Sequence, residues 1–422
     1  MATIVEKILA RKASLSTVQP GDYVNAKLDG VMGYQSFVAA VEHGLAAGIE
    51  GGIPRVWDPD RFFLIVEHNQ PASSKLQAER ELKLRNIAKR LRVKHFYDVT
   101  CGVCHQIMVD KGHVAPGELI LGSDSHTVLY GALNAASTGI GETELAYAVT
   151  FGEMWLRVPE TIRVNLHGEP PPWPVAKDVI LWLAGRYGAD WAQYKALEFG
   201  GDGLFCLSLD QRMCLADHAV ELGAKFGVCE ADGRVLEFVR ERTDRPFQPV
   251  APDPDTAYAQ QVDVDLSAIG PQVAAPHSFD NVFPVEDMLG IRIDQAVIGS
   301  CANGRFEDLL AAANILRGKR IHPDVRLLVS PASWDVYRQS LDAGLPQVFI
   351  EAGAQFLDPG CQVCVGYRGY LADGEVCLSS TTRNYAGRMG SNKSSVYLAN
   401  PATVAFSAIR GCISDPREVL LG

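Results

Sequence analysis

The sequence predicts an α/β fold in which short strands alternate with helices. Short apolar runs typical of buried strands recur along the 422 residues, and helical patterns follow several of them. Many of these runs end directly in polar or glycine-rich turns. Because a chain of this length exceeds the size at which one hydrophobic core keeps growing, we expect two or three domains.

The individual elements are predicted in chain order from these patterns. The first twelve residues predict an amphipathic helix, and they lack the apolar core and cleavage site of a signal peptide, so we expect a cytoplasmic protein. Helices are also expected at 306–316 and at 402–409, where Asn400 and Pro401 form a typical helix start. The predicted strands are residues 62–66, 118–121, 161–166, 295–298 and 325–329.

Two proline-rich stretches indicate where the chain passes between domains. Residues 168–174 form the first, and residues 245–254, with a continuation to Pro276, form the second. We therefore expect three α/β domains, at residues 1–167, 168–283 and 284–422.

Composition excludes several classes of protein. No apolar stretch reaches the length of about 18 residues that a membrane span needs, so we expect no membrane partner. The formal net charge of -11 disfavours nonspecific nucleic-acid binding, although Arg305, Arg383 and Arg388 remain candidates for binding anions in a local pocket. Ten cysteines without a secretion signal argue for reduced thiols, some of which should be ligands.

Three cysteines in turns rich in small residues are the best clue to function. Cys301 follows a predicted strand, and Cys361 and Cys364 form a CxxC pair between glycines. Structural zinc requires four ligands, whereas an iron-sulfur cluster held by three thiolates keeps one iron open to substrate. The CxxC pair by itself fits a structural or zinc site equally well.

A second CxxC string, Cys101 to Cys104 followed by His105, formally matches the attachment pattern of c-type haem. That pattern belongs to exported proteins, and the sequence shows no export signal, so we do not expect haem. A zinc site made from both CxxC pairs is an alternative, but it would require a particular fold to bring them together.

Carboxylates and histidines cluster in turns that follow predicted strands. Asp124, Ser125 and His126 follow one strand, and Glu67 and His68 follow another. Ligands of α/β folds gather at the carboxyl ends of strands, and a carboxylate beside an imidazole makes a general acid. The alternative is a turn stabilised by local hydrogen bonds.

Arg383 and Arg388 lie five residues apart around a glycine near the end of the chain. Their forked guanidinium groups suit carboxylates or phosphates. Taken alone, the pair would instead predict two surface ion pairs.

Together these strings resemble the aconitase superfamily, most closely the large subunits of the 3-isopropylmalate dehydratase and homoaconitase type. The resemblance covers nearly the whole chain, and four strings carry it in order: 122–127, 300–305, 361–364 and 383–388. It implies a three-domain α/β/α core without the swivel domain of full-length aconitases.

The resemblance also implies the cofactor and the chemistry. One 4Fe-4S cluster per chain would be held by Cys301, Cys361 and Cys364, and its fourth iron would act as a Lewis acid on a small hydroxy acid. The implied reaction is the loss of water, catalysed by a hydro-lyase (dehydratase or isomerase).

Matching positions of this sequence supply the acid and histidine pairs of the family. The implied pairs are Glu67 with His68, Asp124 with His105, and Glu221 with His126. His68 is the implied proton donor to the departing hydroxyl. The implied substrate-binding residues are Arg383, Arg388, Tyr34, Gln35 and Ser125.

The chain ends at Gly422. In full-length aconitases, a further swivelling domain carries the catalytic serine base. We therefore expect a separate small subunit to supply that domain, so that the active enzyme is a heterodimer.

The sequence departs from its relatives at one substrate-facing segment. Gly33, Tyr34 and Gln35 stand where the relatives typically carry Thr-His-Asp, and Glu67 replaces the usual aspartate. These changes leave the choice of hydroxy acid open, including a different substituted malate such as a dimethylmalate-like acid. A paralogue without activity and a zinc or thiol-redox protein are the remaining alternatives.

Overall fold

The computed structural model describes residues 1–99 and 101–421, which fold into two compact units. The chain passes between the units several times. Unit 1 comprises residues 1–165, 192–201 and 216–263, and unit 2 comprises residues 166–191, 202–215 and 264–422. This grouping does not test the three-domain division with boundaries near 168 and 284, which stays a prediction.

The strands are short and mostly buried. In chain order they are β1 (Tyr23–Lys27), β2 (Gly30–Gly33), β3 (Phe62–Ile65), β4 (His95–Tyr97), β5 (Leu119–Gly122), β6 (Ala136–Gly139), β7 (Glu153–Arg157), β8 (Thr161–His167), β9 (Ala196–Gly200), β10 (Phe226–Cys229), β11 (Gln260–Asp265), β12 (Gln272–Ala274), β13 (Val282–Pro284), β14 (Gln295–Ile298), β15 (Arg326–Val329), β16 (Gln355–Phe356), β17 (Val376–Ser379) and β18 (Ser395–Leu398).

The helices connect these strands. In chain order they are α1 (Ile4–Lys12), α2 (Phe37–Ala46), α3 (Lys75–Arg90), α4 (Cys104–Asp110), α5 (Glu142–Phe151), α6 (Ala176–Tyr187), α7 (Asp202–Cys206), α8 (Leu209–Asp217), α9 (Gly233–Arg240), α10 (Ser300–Asn303), α11 (Phe306–Leu316), α12 (Trp334–Asp342), α13 (Leu345–Ala352), α14 (Pro401–Arg410) and α15 (Arg417–Leu420). Short 3₁₀ helices follow at Ser125–Leu133, His218–Leu222, Leu266–Ala268 and Val285–Met288.

Unit 1 is built around a parallel sheet in the order β4-β3-β2-β5-β6. The central strands β2, β3 and β5 are buried along their whole length, which is why β3 and β5 appear in the sequence as continuous apolar runs. A second sheet has the order β10-β9-β8-β11, and β1 pairs with β7 antiparallel. The apolar core lies between the first sheet and helices that include α1, α2 and α5.

Unit 2 contains a mixed sheet in the order β13-β12-β18-β17-β14-β15-β16. The strands from β18 to β16 run parallel, and β12 pairs antiparallel with both of its neighbours. Helices α11 and α14 pack with this sheet and share its apolar core.

The α/β class and the predicted elements are confirmed. The five predicted strands match β3, β5, β8, β14 and β15 to within one residue at each end, and the helix at 306–316 has the expected bounds. Asn400 caps α14, because its Oδ1 accepts a hydrogen bond from the amide of Thr403 at 2.8 Å. Among the described residues, no helix is both long and apolar enough to cross a membrane.

Candidate active site

Three turns of unit 1 carry residues that were predicted for the site, and the sheet order explains why they meet. Strand β2 lies between β3 and β5, and all three run parallel, so their carboxyl ends share one edge. Tyr34 follows β2, Glu67 and His68 follow β3, and Asp124 follows β5. The edge of this sheet therefore gathers side chains that are far apart in the sequence.

Glu67 and His68 form an ion pair at this edge. The carboxylate of Glu67 is fully buried and contacts Nδ1 of His68, whose side chain is 25% exposed. The backbone amide of Glu67 donates to Oε1 of Gln35 at 3.1 Å. The ring of Tyr34 stacks on the imidazole of His68, with ring centroids 4.5 Å apart and planes tilted by 21°.

Asp124 lies at the centre of three imidazole groups. Its Oδ1 accepts a hydrogen bond from Nε2 of His105 at 2.9 Å and lies 3.5 Å from Nδ1 of His126. Its Oδ2 lies 3.6 Å from Nε2 of His68. The backbone amide of His126 also donates to Oδ1 of Asp124, at 2.8 Å. One carboxylate thus connects all three predicted histidines.

The charge of Asp124 is stabilised by these neighbours. Burial by itself favours the neutral carboxyl, but hydrogen bonds from His105 and His126 outweigh it and hold the pKa of Asp124 well below its usual range. At neutral pH this site therefore contains an ionised carboxylate.

His126 and His105 each have a further partner. Nε2 of His126 lies 3.1 Å from Oε1 of Glu221, as the predicted pairing requires. Nδ1 of His105 lies 3.2 Å from the hydroxyl of Tyr130. The sequence analysis did not identify Tyr130, because a tyrosine inside an apolar stretch has no distinguishing pattern.

Two more residues belong near this cluster. Oγ of Ser125 lies 3.4 Å from Nδ1 of His126. A carboxylate oxygen of the fully buried Asp217 lies within 4.8 Å of a ring nitrogen of His126. Asp217 was not predicted from the sequence, although it precedes His218, and an acid next to a histidine is the same pattern as in Glu67 and His68.

Unit 2 carries the three cysteines that were predicted as cluster ligands. Cys301 follows β14 in the short helix α10, and Cys361 and Cys364 lie in the turns that precede β17. All three side chains are buried, with exposures of 3%, 6% and 1%. Thiolate sulfur is the donor type that iron-sulfur clusters use.

Cys364 is the best supported thiolate of the three. Its Sγ accepts a hydrogen bond from Nη2 of Arg388 at 3.0 Å and lies 3.3 Å from Oγ1 of Thr382. A hydrogen bond from Cys361 and the charge of Arg388 hold the pKa of Cys364 well below its usual range. Buried cysteines with a thiolate-stabilising arginine fit a metal-sulfur cofactor.

Arg388 keeps its charge in this environment. Burial disfavours the guanidinium, but the neighbouring thiolate of Cys364 outweighs that effect and raises the pKa of Arg388. The hydroxyl of Tyr385 also accepts from its Nη1 at 3.2 Å. Arg388 therefore lies beside Cys364 in unit 2, and Arg383, five residues earlier, is half-buried.

Arg305 has a different place from the one its motif suggested. The sequence made it a candidate for binding anions, but its guanidinium is buried and donates to the carbonyl oxygens of Cys301 and Ala302. Its backbone amide donates to Oδ2 of Asp308 at 3.1 Å. Arg305 thus braces the turn that carries Cys301.

Lys177 is a residue of unit 2 that the sequence analysis missed. Its side chain is fully buried, and its Nζ donates to the carbonyl oxygen of Thr381 at 2.6 Å. Asn384 anchors the same loop through Nδ2, which donates to the carbonyl oxygens of Ala275 at 2.8 Å and Ser278 at 3.1 Å. The loop that carries Thr382 and Arg383 is therefore held from both sides.

The second CxxC pair has a structural explanation. Sγ of Cys101 donates to the carbonyl oxygen of Asp98 at 2.9 Å, and burial raises the pKa of its thiol to about 11. At neutral pH Cys101 is therefore a thiol, which is a poor metal ligand. His105, which completes the haem-like string, is committed to Asp124 and Tyr130.

Comparisons with known proteins agree with this geometry. The profile of the aconitase family (aconitate hydratase) matches residues 56–411. The chain is 46% identical to the 3-isopropylmalate dehydratase large subunit 1 of Methanopyrus kandleri, and the alignment covers 99% of each chain. It is 42% identical to the probable methanogen homoaconitase large subunit of Methanothermobacter thermautotrophicus, over 98% of this chain and 97% of that one.

A solved structure has a related fold. The holo form of aconitase X from Thermococcus kodakaraensis superposes with a TM-score of 0.52, covering 90% of this chain and 89% of that chain. The sequence identity is 12%, so this likeness shows the fold alone.

Proposed function

Because the chain belongs to the aconitase family of iron-sulfur hydro-lyases, we propose that it is a large subunit that dehydrates a hydroxy acid of the 3-isopropylmalate or homoaconitate type. Relatives that align over almost the whole chain carry those two names. The observation that carries the proposal is the position of Asp124, whose carboxylate lies within 3.6 Å of three imidazole groups. Such a network can hold and deliver protons where water leaves a substrate.

The proposed cofactor is a 4Fe-4S cluster held by Cys301, Cys361 and Cys364. Its support is the burial of all three thiols and the stabilised thiolate of Cys364. When bound, such a cluster supplies a Lewis-acidic iron that makes the substrate hydroxyl a better leaving group. Arg388 and Thr382 hold the sulfur of Cys364 from the protein side.

His68 is the proposed proton donor to the departing hydroxyl. Glu67 engages Nδ1 of the ring, so the proton on Nε2 is the one that faces away from that pair. Nε2 lies 3.6 Å from Oδ2 of Asp124, which is beyond hydrogen-bond distance but close enough to favour a charged imidazole. As the carbon-oxygen bond breaks, this proton turns the leaving hydroxide into water.

The other predicted residues have supporting roles in the proposal. His105 and His126 keep Asp124 ionised, and Glu221 orients His126. Arg383 and Ser125 are proposed to bind the substrate carboxylates, for which a forked guanidinium and a hydroxyl are suitable donors.

A small subunit is the proposed partner. The relatives of this chain are named large subunits, which implies a small subunit alongside them. We propose that the partner supplies the swivelling domain and the base that removes the proton next to the substrate carboxylate. In the reverse reaction, the same heterodimer would add water to the double bond of the unsaturated acid.

Metal analysis of the chain purified without oxygen tests the cofactor. We expect iron and acid-labile sulfide in the wild-type chain and their loss in Cys301→Ser, because a cluster with two protein ligands is poorly held. Cys206→Ser is the matched control, since Cys206 is exposed and lies in α7. Stoichiometric zinc without sulfide would support the zinc or thiol-redox alternative instead.

A further inference from the structure

The segment after β2 contacts both of the strands that flank β2. The amide of Tyr34 donates to Oγ of Ser123, after β5, at 3.4 Å. On the other side, the ring of Tyr34 lies on His68 and Oε1 of Gln35 accepts from the amide of Glu67, both after β3. The segment thus links the two acid-bearing turns, through the backbone amide of Tyr34 on one side and through the side chains of Tyr34 and Gln35 on the other.

We propose that Tyr34 and Gln35 are positioning residues that fix the imidazole of His68 and the backbone of Glu67 in the orientation needed for proton donation. The inference rests on the proposed hydro-lyase function and deepens it, because it concerns how the donor is held. It differs from the expectation drawn from the sequence, in which both residues bind substrate.

The stack restricts how the imidazole ring of His68 can tilt. The buried carboxylate of Glu67 holds the Nδ1 edge of His68, but a contact at one edge leaves the ring free to tilt. The ring of Tyr34 covers one face at a centroid distance of 4.5 Å, so tilting toward that face is blocked. Nε2 is thereby kept on the side of Asp124.

Gln35 contacts Glu67, the acid of the pair that Glu67 forms with His68. A carboxamide oxygen that accepts from the amide of Glu67 fixes the backbone from which both Glu67 and His68 project. A glutamine provides this acceptor without a charge, whereas an acid would add a negative charge beside the buried carboxylate of Glu67.

The phenol of Tyr34 stays neutral beside these groups. Burial, together with the negative charges of Asp124 and Glu67, raises the pKa of Tyr34. Asp124 and Glu67 are therefore the two anions that face His68, and Tyr34 contributes only the face of its ring. An aromatic face favours a cation placed above it, so the stack supports the protonated ring that a proton donor must have.

Steady-state kinetics of the complex with the cluster and the small subunit distinguish positioning from substrate binding. We expect Tyr34→Leu to lower kcat about 10- to 100-fold with little change in KM, because a misplaced donor slows chemistry without weakening binding. Tyr34→Phe should recover most of the loss, since it keeps the ring. Gln35→Leu should also lower kcat, because it removes the oxygen that accepts from the amide of Glu67.

The matched control is Tyr23→Leu, which makes the same change at a residue of unit 1 that is 71% exposed, and it should leave both constants unchanged. A rise in KM at constant kcat would overturn the inference and return Tyr34 to substrate binding. Equal losses in the phenylalanine and leucine variants would also overturn it, because the hydroxyl would then be the important group.

Nuclear magnetic resonance of the full chain provides a readout that does not depend on activity. With histidine labelled at the ring carbons and His68 assigned through His68→Gln, the ring current of Tyr34 should displace the resonance of His68. We expect that displacement to disappear in Tyr34→Leu and to persist in Tyr34→Phe. Identical His68 resonances in the wild type and Tyr34→Leu would show that the stack does not form and would overturn the inference.

The two measurements also separate the inference from the proposed function. If the wild-type complex dehydrates none of the hydroxy acids tested, the proposed function fails and the role in proton donation fails with it. The resonance of His68 would still decide whether Tyr34 fixes the ring.

Discussion

Asp124 shows how one residue can organise a proton network. It accepts from His105, contacts His126 and lies near His68, and its own pKa is held well below the usual range. Because the carboxylate is shared, a change at this residue affects all three imidazole groups at once, whereas a change at one histidine leaves two of the contacts in place.

Asp124→Asn should therefore lower kcat by at least about 100-fold, since the amide removes the charge while keeping the shape. The measurement is the rate of dehydration by the complex with its cluster and small subunit. Asp60→Asn is the control, because Asp60 is a surface residue of the same unit with a side-chain exposure of 60%. A loss of less than about threefold in Asp124→Asn would contradict the central role of this carboxylate.

The difference in stability between the wild type and Asp124→Asn should decrease at acidic pH. The folded pKa of Asp124 lies below the unfolded value of about 4, so ionised Asp124 stabilises the fold above about pH 4. That contribution is lost as pH falls through the folded pKa. The difference in urea midpoint between the wild type and Asp124→Asn should thus shrink as pH falls below about 4. A difference that grows on acidification would contradict this.

At the scale of elements, the 3₁₀ helix at Ser125–Leu133 packs so closely on its neighbour that one of its positions requires glycine. This helix carries His126 and follows Asp124, and it packs on β10. A Cβ atom added at Gly131 would lie 1.6 Å from the carbonyl oxygen of Gly227 in β10. Only a residue without a side chain permits this approach, so Gly131 allows the helix that carries His126 to pack closely on β10.

Gly131→Ala should destabilise unit 1 by more than about 2 kcal/mol, because backbone must move to relieve the clash. The free energy of unfolding in urea tests this directly. Gly233→Ala is the matched control in α9, since a Cβ there meets nothing within 4 Å. We expect the control to change stability by less than about 0.5 kcal/mol. Equal effects of the two substitutions would contradict the packing argument.

At the scale of the whole molecule, the acid and histidine network belongs to unit 1 and the three cysteines belong to unit 2. Each unit has its own sheet and its own apolar core. The proposed reaction draws on both groups of side chains and on a base from the small subunit. Cofactor binding and catalysis should therefore be separable properties of this chain.

We expect the purified chain to bind iron and sulfide by itself but to show less than about one hundredth of the activity of the complex, because a missing base removes a large part of the catalysis. Titration of the small subunit into the chain with its cluster should restore dehydration and saturate near equimolar amounts. Full activity of the large chain alone would contradict the proposed division of labour.

Many strands and candidate site residues could be predicted from the sequence because the patterns that indicate them are local. Short apolar runs predicted β3, β5 and β14, and the residues just after them predicted Glu67, His68, Asp124 and Cys301 as site candidates. The strand predictions succeed because strand formation depends mainly on neighbouring residues, whereas the roles of the site candidates stay predictions. The family resemblance added the histidine and acid pairs, and the contacts of Glu67, Asp124 and Glu221 agree with those pairs.

Only the tertiary structure decided which candidates act on one another. The order β3-β2-β5 brings Tyr34 and Gln35 between two turns that lie more than thirty residues away in the chain, which no local pattern encodes. The same is true of the buried Lys177 and of Arg305, whose guanidinium donates to the carbonyl oxygen of Ala302 in the turn that carries Cys301. The sequence determined which chemical groups are present and on which turns, and long-range strand pairing decided their partners, since those contacts depend on sheet order and packing rather than on neighbouring residues.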